Sequence, residues 1–103
     1  MRVLAKIRWL KPDEGGRPAP PPGPRYSTVA KFESQSDHQW QKDARSLVLN
    51  VEGTPDGTGS QTAWVRFLAE ADAPADWLQP QRSFDLFEGS RKVAEGRVLE
   101  LGD

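Results

Sequence analysis

Two short runs at opposite ends of the chain carry the residues best suited to chemistry. Near the start stand Asp13-Glu14-Gly15-Gly16-Arg17, with Pro20 shortly after; near the end stand Phe84-Asp85-Leu86-Phe87-Glu88-Gly89-Ser90-Arg91-Lys92-Val93. Each is a glycine turn with a basic residue at its tip. Arg and Lys neutralise phosphate oxygens, and a glycine beside them lets backbone approach closely. Other chemistries find less support. His38 is the single histidine and there is no cysteine, which leaves a metal ion or a nucleophile without company. Ser60 and Ser90 lack a nucleophile-elbow motif, and carboxylates such as Glu33 and Asp37 lie in polar stretches with no apolar pocket to raise their pKa. No phosphate-cradling Gly-x-x-x-x-Gly-Lys loop occurs, which excludes GTP hydrolysis by the P-loop route. The reading is not an enzyme, with no metal and no cofactor.

The elements that must position these tips follow from hydrophobic alternation. Val3, Ala5, Ile7 and Trp9 share one parity, with Arg2, Lys6 and Arg8 on the other, the signature of a half-buried strand. Residues 11–24 hold Gly15, Gly16, Gly23 and six prolines, too many to sustain a hydrogen-bonded ladder, and read as a long loop within the domain. Alternation returns over Arg25 to Phe32, with Tyr26, Thr28, Ala30 and Phe32 in phase. The segment Glu33 to Lys42, polar around Trp40, reads equally as loop or as one helical turn. Arg45 to Glu52 and Thr62 to Ala69 form a hairpin across Gly53 to Gly59, because Asp-Gly and glycine accept positive φ cheaply. Ala73-Pro74 and Gln79-Pro80 bracket a turn holding Trp77 and Leu78, and Ser83 to Glu88 pairs with Lys92 to Leu101 across Gly89-Ser90. Six strands with almost no helical periodicity predict an all-β protein, a single six-stranded antiparallel β-barrel spanning 1–103.

At this point the two end runs resemble the C-terminal, third β-barrel domain of bacterial elongation factor Tu. That family has a loop of the form Gly-Gly-Arg, two residues, then Pro, matched by Gly15, Gly16, Arg17 and Pro20. Its Gly-Tyr-Arg-Pro turn is present in scrambled form as Gly23-Pro24-Arg25-Tyr26. Its last hairpin is matched by Phe84, Glu88, Gly89, Arg91, Val93, Gly96 and Val98, with Lys92 in place of a threonine. The chain departs at Phe87, where the family has Arg, at Ala94, where it has Gly, and in the middle third, which lacks the Met-Pro-Gly-Asp turn. The resemblance implies the barrel fold and, residue by residue, tRNA-phosphate contacts at Arg17 and Arg91 with Lys92; Arg25 and Arg97 are candidates for the same side. The alternative is that Arg17 braces its own loop through Asp13 or Glu14 and that Arg91 only solvates a hairpin.

Charge weighs against a general affinity for nucleic acid. Fourteen basic residues face fifteen acidic ones, for a net charge of -1, so any RNA contact must come from a local patch. With an apolar share of 36%, the core must lean on its aromatics, four Trp and four Phe. Trp9 and Trp64, on strands, are expected in the core; Trp40 and Trp77, in polar or turn segments, are candidates for an exposed contact surface. The sequence therefore points to a cytoplasmic interaction module acting through protein contacts, with an RNA- or tRNA-binding accessory as the alternative. No stretch is apolar enough to cross a membrane as a helix.

Overall fold

A computed structural model describes residues 1–102. Six strands, β1 (Val3–Trp9), β2 (Arg25–Phe32), β3 (Arg45–Glu52), β4 (Ser60–Phe67), β5 (Ser83–Glu88) and β6 (Arg91–Leu101), close into a barrel in the order β1-β4-β3-β2-β5-β6. Every neighbouring pair is antiparallel, including the closing pair β1 with β6. The expected all-β barrel of six strands is therefore the observed architecture. Closure gives every strand two neighbours, although the β5 pairing of β2 covers only Val29 to Phe32.

A six-stranded barrel is narrow enough for side chains to fill it. Val3, Ala5, Ile7 and Trp9 of β1 point inward as the alternation predicts, and meet Ala30 and Phe32, Leu47 and Leu49, Ala63, Val65 and Phe67, Phe84 and Leu86, and Val98 from the other strands. Two bulges on β6 bend it around the cylinder: Leu99 is left over where β6 pairs with β1, and Val93 where it pairs with β5. Trp64 corrects the expectation of a core residue. It shares parity with Thr62 and Arg66, opposite to Ala63, Val65 and Phe67, and lies on the outer wall, where the Arg2 guanidinium stacks over its ring at 4.2 Å.

The strand order explains both long connections. β1 and β2 are separated by two strands, so residues 10–24 must cross one end of the barrel, and β4 and β5 are likewise separated, so residues 68–82 must cross the other. Each crossing leaves a plug. At the first end Leu10 and Gly16 are buried; at the second a short 3-10 turn, Ala75–Leu78, buries Leu78 completely and packs Trp77 on Phe32 with ring centroids 5.1 Å apart. The ambiguous segment after β2 resolves as α1 (Asp37–Lys42). Ser36 Oγ accepts from the Gln39 amide and Gln39 Oε1 accepts from the Ser36 amide, a reciprocal cap that satisfies the first-turn donors and makes so short a helix viable. Among the described residues no helix is long and apolar enough to cross a membrane.

Candidate interaction surfaces

The two glycine turns that stand 71 residues apart in sequence meet at one end of the barrel. Arg17 Nη1 donates to Glu88 Oε2 at 2.5 Å, and the Tyr26 hydroxyl donates to the same oxygen at 2.5 Å. Arg17 Nε also donates to the Ala19 carbonyl at 3.1 Å, which fixes the guanidinium plane. Beneath this cluster the indole of Trp9 meets the Tyr26 ring edge-on, with centroids 5.4 Å apart, and donates through Nε1 to Gln61 Oε1 at 2.6 Å. Arg17 is thus braced by a carboxylate, and the partner is Glu88 of the distant hairpin rather than Asp13 or Glu14. Glu14 serves elsewhere, accepting from Arg8 and from the Lys11 amide.

The electrostatics follow from these contacts. The Tyr26 hydrogen bond, opposed by burial and assisted by Arg17, holds the Glu88 carboxyl below its ordinary value. Burial, with the Glu88 carboxylate as hydrogen-bond acceptor, pushes the Tyr26 phenol up to about 12. A group whose folded pKa is raised stabilises the fold below its unfolded value and loses that contribution as pH climbs from there through the folded value. Because Tyr26 is the only tyrosine, its phenolate absorbance can be followed directly. We expect a native-state midpoint near 12, a drop toward the ordinary value of about 10 in Glu88→Gln, and a native stability that falls between those two pH values. A midpoint at the ordinary phenol value in the unmutated protein would show that the cluster is not formed.

The other predicted residues are placed as follows. Arg91 begins β6 directly opposite Glu88, is exposed, and contributes to lowering the Glu88 pKa, but makes no ion pair among the described residues. Arg25 begins β2 at the same end, exposed, opposite Asn50. Lys92 is held between Asp85 Oδ1 at 3.3 Å and Glu95 Oε2 at 2.8 Å. So Arg17, Arg25, Arg91 and Lys92 share one end, but two of the four are tied to carboxylates. The tryptophans are not with them. Trp40 folds back from α1 onto the outer wall, stacking on Phe87 at 4.7 Å and donating Nε1 to the Ala30 carbonyl at 2.9 Å. Trp77 plugs the opposite end and borders a cleft of about 220 Å³ with Gln35, Gln39, Lys42 and Asp43. Both rings are half-buried anchors of connecting segments rather than a flat exposed patch.

Two surfaces were not singled out by the sequence. The large exposed apolar side chains, Met1, Leu68, Leu99 and Leu101, lie at or next to strand ends that adjoin at the end opposite Arg17, Arg25 and Arg91, where Arg2, Arg45 and Arg82 also stand: β1 begins beside the ends of β4 and β6, with Val3 between Val65 and Leu101. Leu68 and Leu101 are each about half exposed, at 52% and 50%. The second is the outer face of β1, β6 and β5, a groove of about 510 Å³ that includes Lys6, Arg8 and Arg97. A surface apolar residue has no periodicity to mark it in a sequence, whereas the basic residues of β1 were visible as its polar parity. His38 is exposed on α1, and no group of three metal-ligating side chains occurs among the described residues. No protein-family model matches this chain, and no curated protein matches it.

Proposed function

We propose that this chain is a non-enzymatic interaction module that acts in the cytoplasm through protein contacts, on a barrel of the type that forms the third domain of elongation factor Tu. The observation that carries this reading is the segregation of the surface. Large exposed apolar side chains gather at one end, the pattern expected of a protein-binding face, while Arg17 and Lys92 at the other end are spent on Glu88, Asp85 and Glu95. The test is affinity capture from the native cytoplasm with the unmutated protein and with Leu68→Glu combined with Leu101→Glu. Both leucines are half exposed, so the double variant is expected to keep its fold while losing a captured protein at least about tenfold, the loss that 1.4 kcal/mol of contact energy represents. Equal capture by the double variant, with an unchanged melting temperature, would remove that end from the reading.

An RNA-binding accessory related to translation is the second reading, favoured by Arg25 and Arg91, exposed at one end and without an ion pair among the described residues. Under it, Arg91→Glu abolishes a tRNA gel shift at low salt, where screening is weakest. Absence of any shift with the unmutated protein ends this alternative.

A further inference from the structure

Lys6 of β1 and Arg97 of β6 are directly opposed in the antiparallel register. Like charges in that position repel at close range, and a sheet ordinarily avoids them or pairs each with an acid. Here neither has an ion pair among the described residues, although the neighbouring cations on the same wall do: Arg8 bonds Glu95 at 2.8 Å and Glu14 at 3.3 Å, and Lys92 bonds Asp85 and Glu95. The acids that feel the two opposed cations are occupied elsewhere. Asp56, lowered in pKa by the Thr58 hydroxyl, the Ser60 and Thr58 amides and, more weakly, by Lys6, accepts all three of those bonds through one oxygen. Glu33 is held by the amide and hydroxyl of Ser83. The two cations therefore line the groove without an ion-pair partner among the described residues, beside Thr58 and Ser83, whose hydroxyls are engaged with Asp56 and Glu33.

We propose that this groove is the docking site for a short acidic segment of a protein partner, whose carboxylate bridges Lys6 and Arg97. The proposal rests on the protein-contact reading above and names the partner's chemistry at a second surface, on the wall between the two barrel ends. Charge complementarity selects the occupant. Two opposed cations without an acid of their own suit a carboxylate placed between them. A single carboxylate can stay over Lys6 and Arg97, whereas a nucleic-acid backbone repeats its charge along its whole length and would have to run over Asp85 and Glu95, which line the same groove.

The test uses the whole chain and a capped hexapeptide with two central glutamates, titrated at an ionic strength of about 10 mM, where screening extends to ~30 Å, and followed through backbone amide shifts. Shifts at Lys6, Arg97, Thr58 and Ser83, absent with the matching glutamine peptide, are expected. Lys6→Glu is expected to weaken the peptide at least about tenfold while raising the melting temperature by about 2–4 °C, since it turns a repulsive cross-strand pair into an attractive one. Arg97→Gln, which removes the charge without reversal, should weaken the peptide as well and guards against a folding artefact. No shift with the glutamate peptide, equal shifts with the glutamine peptide, or a lower melting temperature in Lys6→Glu each overturn the proposal. So does an oligoribonucleotide that displaces the peptide from these amides. The titration needs no captured partner, so its failure leaves the apolar-end reading standing, and failure of the capture experiment leaves the groove to be judged on the peptide alone.

Discussion

Phe32→Ala is expected to cost roughly 3–5 kcal/mol, the range for removing a buried aromatic ring. Phe32 is 1% exposed and sits at the hub of the aromatic core, in contact with Phe67, Phe84 and Trp77 at centroid separations of 5.6, 6.2 and 5.1 Å. The loss exceeds a simple transfer term because the surroundings cannot collapse. A barrel wall is hydrogen-bonded all the way round, so the strands carrying Phe67 and Phe84 cannot move inward to fill the void. For a domain of this size each kcal/mol corresponds to about 4–8 °C, so the melting temperature should fall by at least roughly 12 °C. Set against a total stability of about 5–15 kcal/mol, this approaches unfolding. Trp77 reports the local event, since the 75–78 plug rests on the ring that is removed, and indole fluorescence should shift before the global transition. Phe32→Leu, which keeps most of the volume, is the graded control and should cost clearly less. A melting temperature within a few degrees of the unmutated protein would mean that the barrel interior is not packed as described.

The fold was legible because a barrel obeys the simplest sequence rule. Alternation of period two, broken by glycine and proline, placed all six strands and both hairpins, since inward positions must be apolar and turns must accept unusual backbone angles. Where alternation was drowned the reading failed. The run Ala63, Trp64, Val65 is apolar throughout, so the parity of Trp64 shows only against the flanking Thr62 and Arg66, and the structure sets it on the outer wall beneath Arg2. The segment Glu33 to Lys42 has too few apolar residues for a period to show. What fixes its helix is a local cap, Ser36 with Gln39, and a buried Gln35 that bridges the Phe32 amide and the Asp43 carbonyl. The pairing of Arg17 with Glu88 lies beyond any local rule. It depends on a loop crossing the barrel end to reach a hairpin far along the chain, and sequence offered Asp13 and Glu14 as equally acidic and nearer candidates.

The same crossing explains why the two end motifs belong together. Gly-Gly-Arg and Glu-Gly-Ser-Arg look like separate phosphate-seeking tips in the sequence, yet the first delivers its arginine to the glutamate of the second. A surface arginine that is tied down in this way gives up little affinity for solvent but fixes the entry of the loop into β2 through Tyr26 and Pro24, whose carbonyl accepts from the Val51 amide at 2.7 Å. The candidate binding residues Arg25 and Arg91 are then held at the rim of a rigid platform, and the acidic-segment groove lies on the wall beside it. Both ends of the barrel are closed by their own connections, which leaves only walls and rims as surface for a partner.

Gly16→Ala tests that platform, and a loss of about 1–3 kcal/mol is expected, the cost of forcing extra volume into a packed site. A Cβ at Gly16 would stand 2.1 Å from the carbonyl oxygen of Leu10 and 2.5 Å from its carbonyl carbon. Backbone cannot yield as a flexible side chain does, because Leu10 is itself held by its amide to the Val93 carbonyl at 2.9 Å, and Gly16 is tied by its own amide to the Lys11 carbonyl at 2.9 Å. The loop must therefore lift away, and with it Arg17. Two measurements follow from one displacement: the melting temperature falls, and the Tyr26 phenol loses part of its upward shift as water reaches the opened cluster. Gly57→Ala, where a Cβ meets nothing within 4 Å, is the matched control and should leave both unchanged. If Gly16→Ala lowers stability while the Tyr26 titration stays where it was, the loop is strained without moving Arg17, and the link between the two end motifs is not mechanical. If neither changes, the close approach of Gly16 to Leu10 is not present in solution.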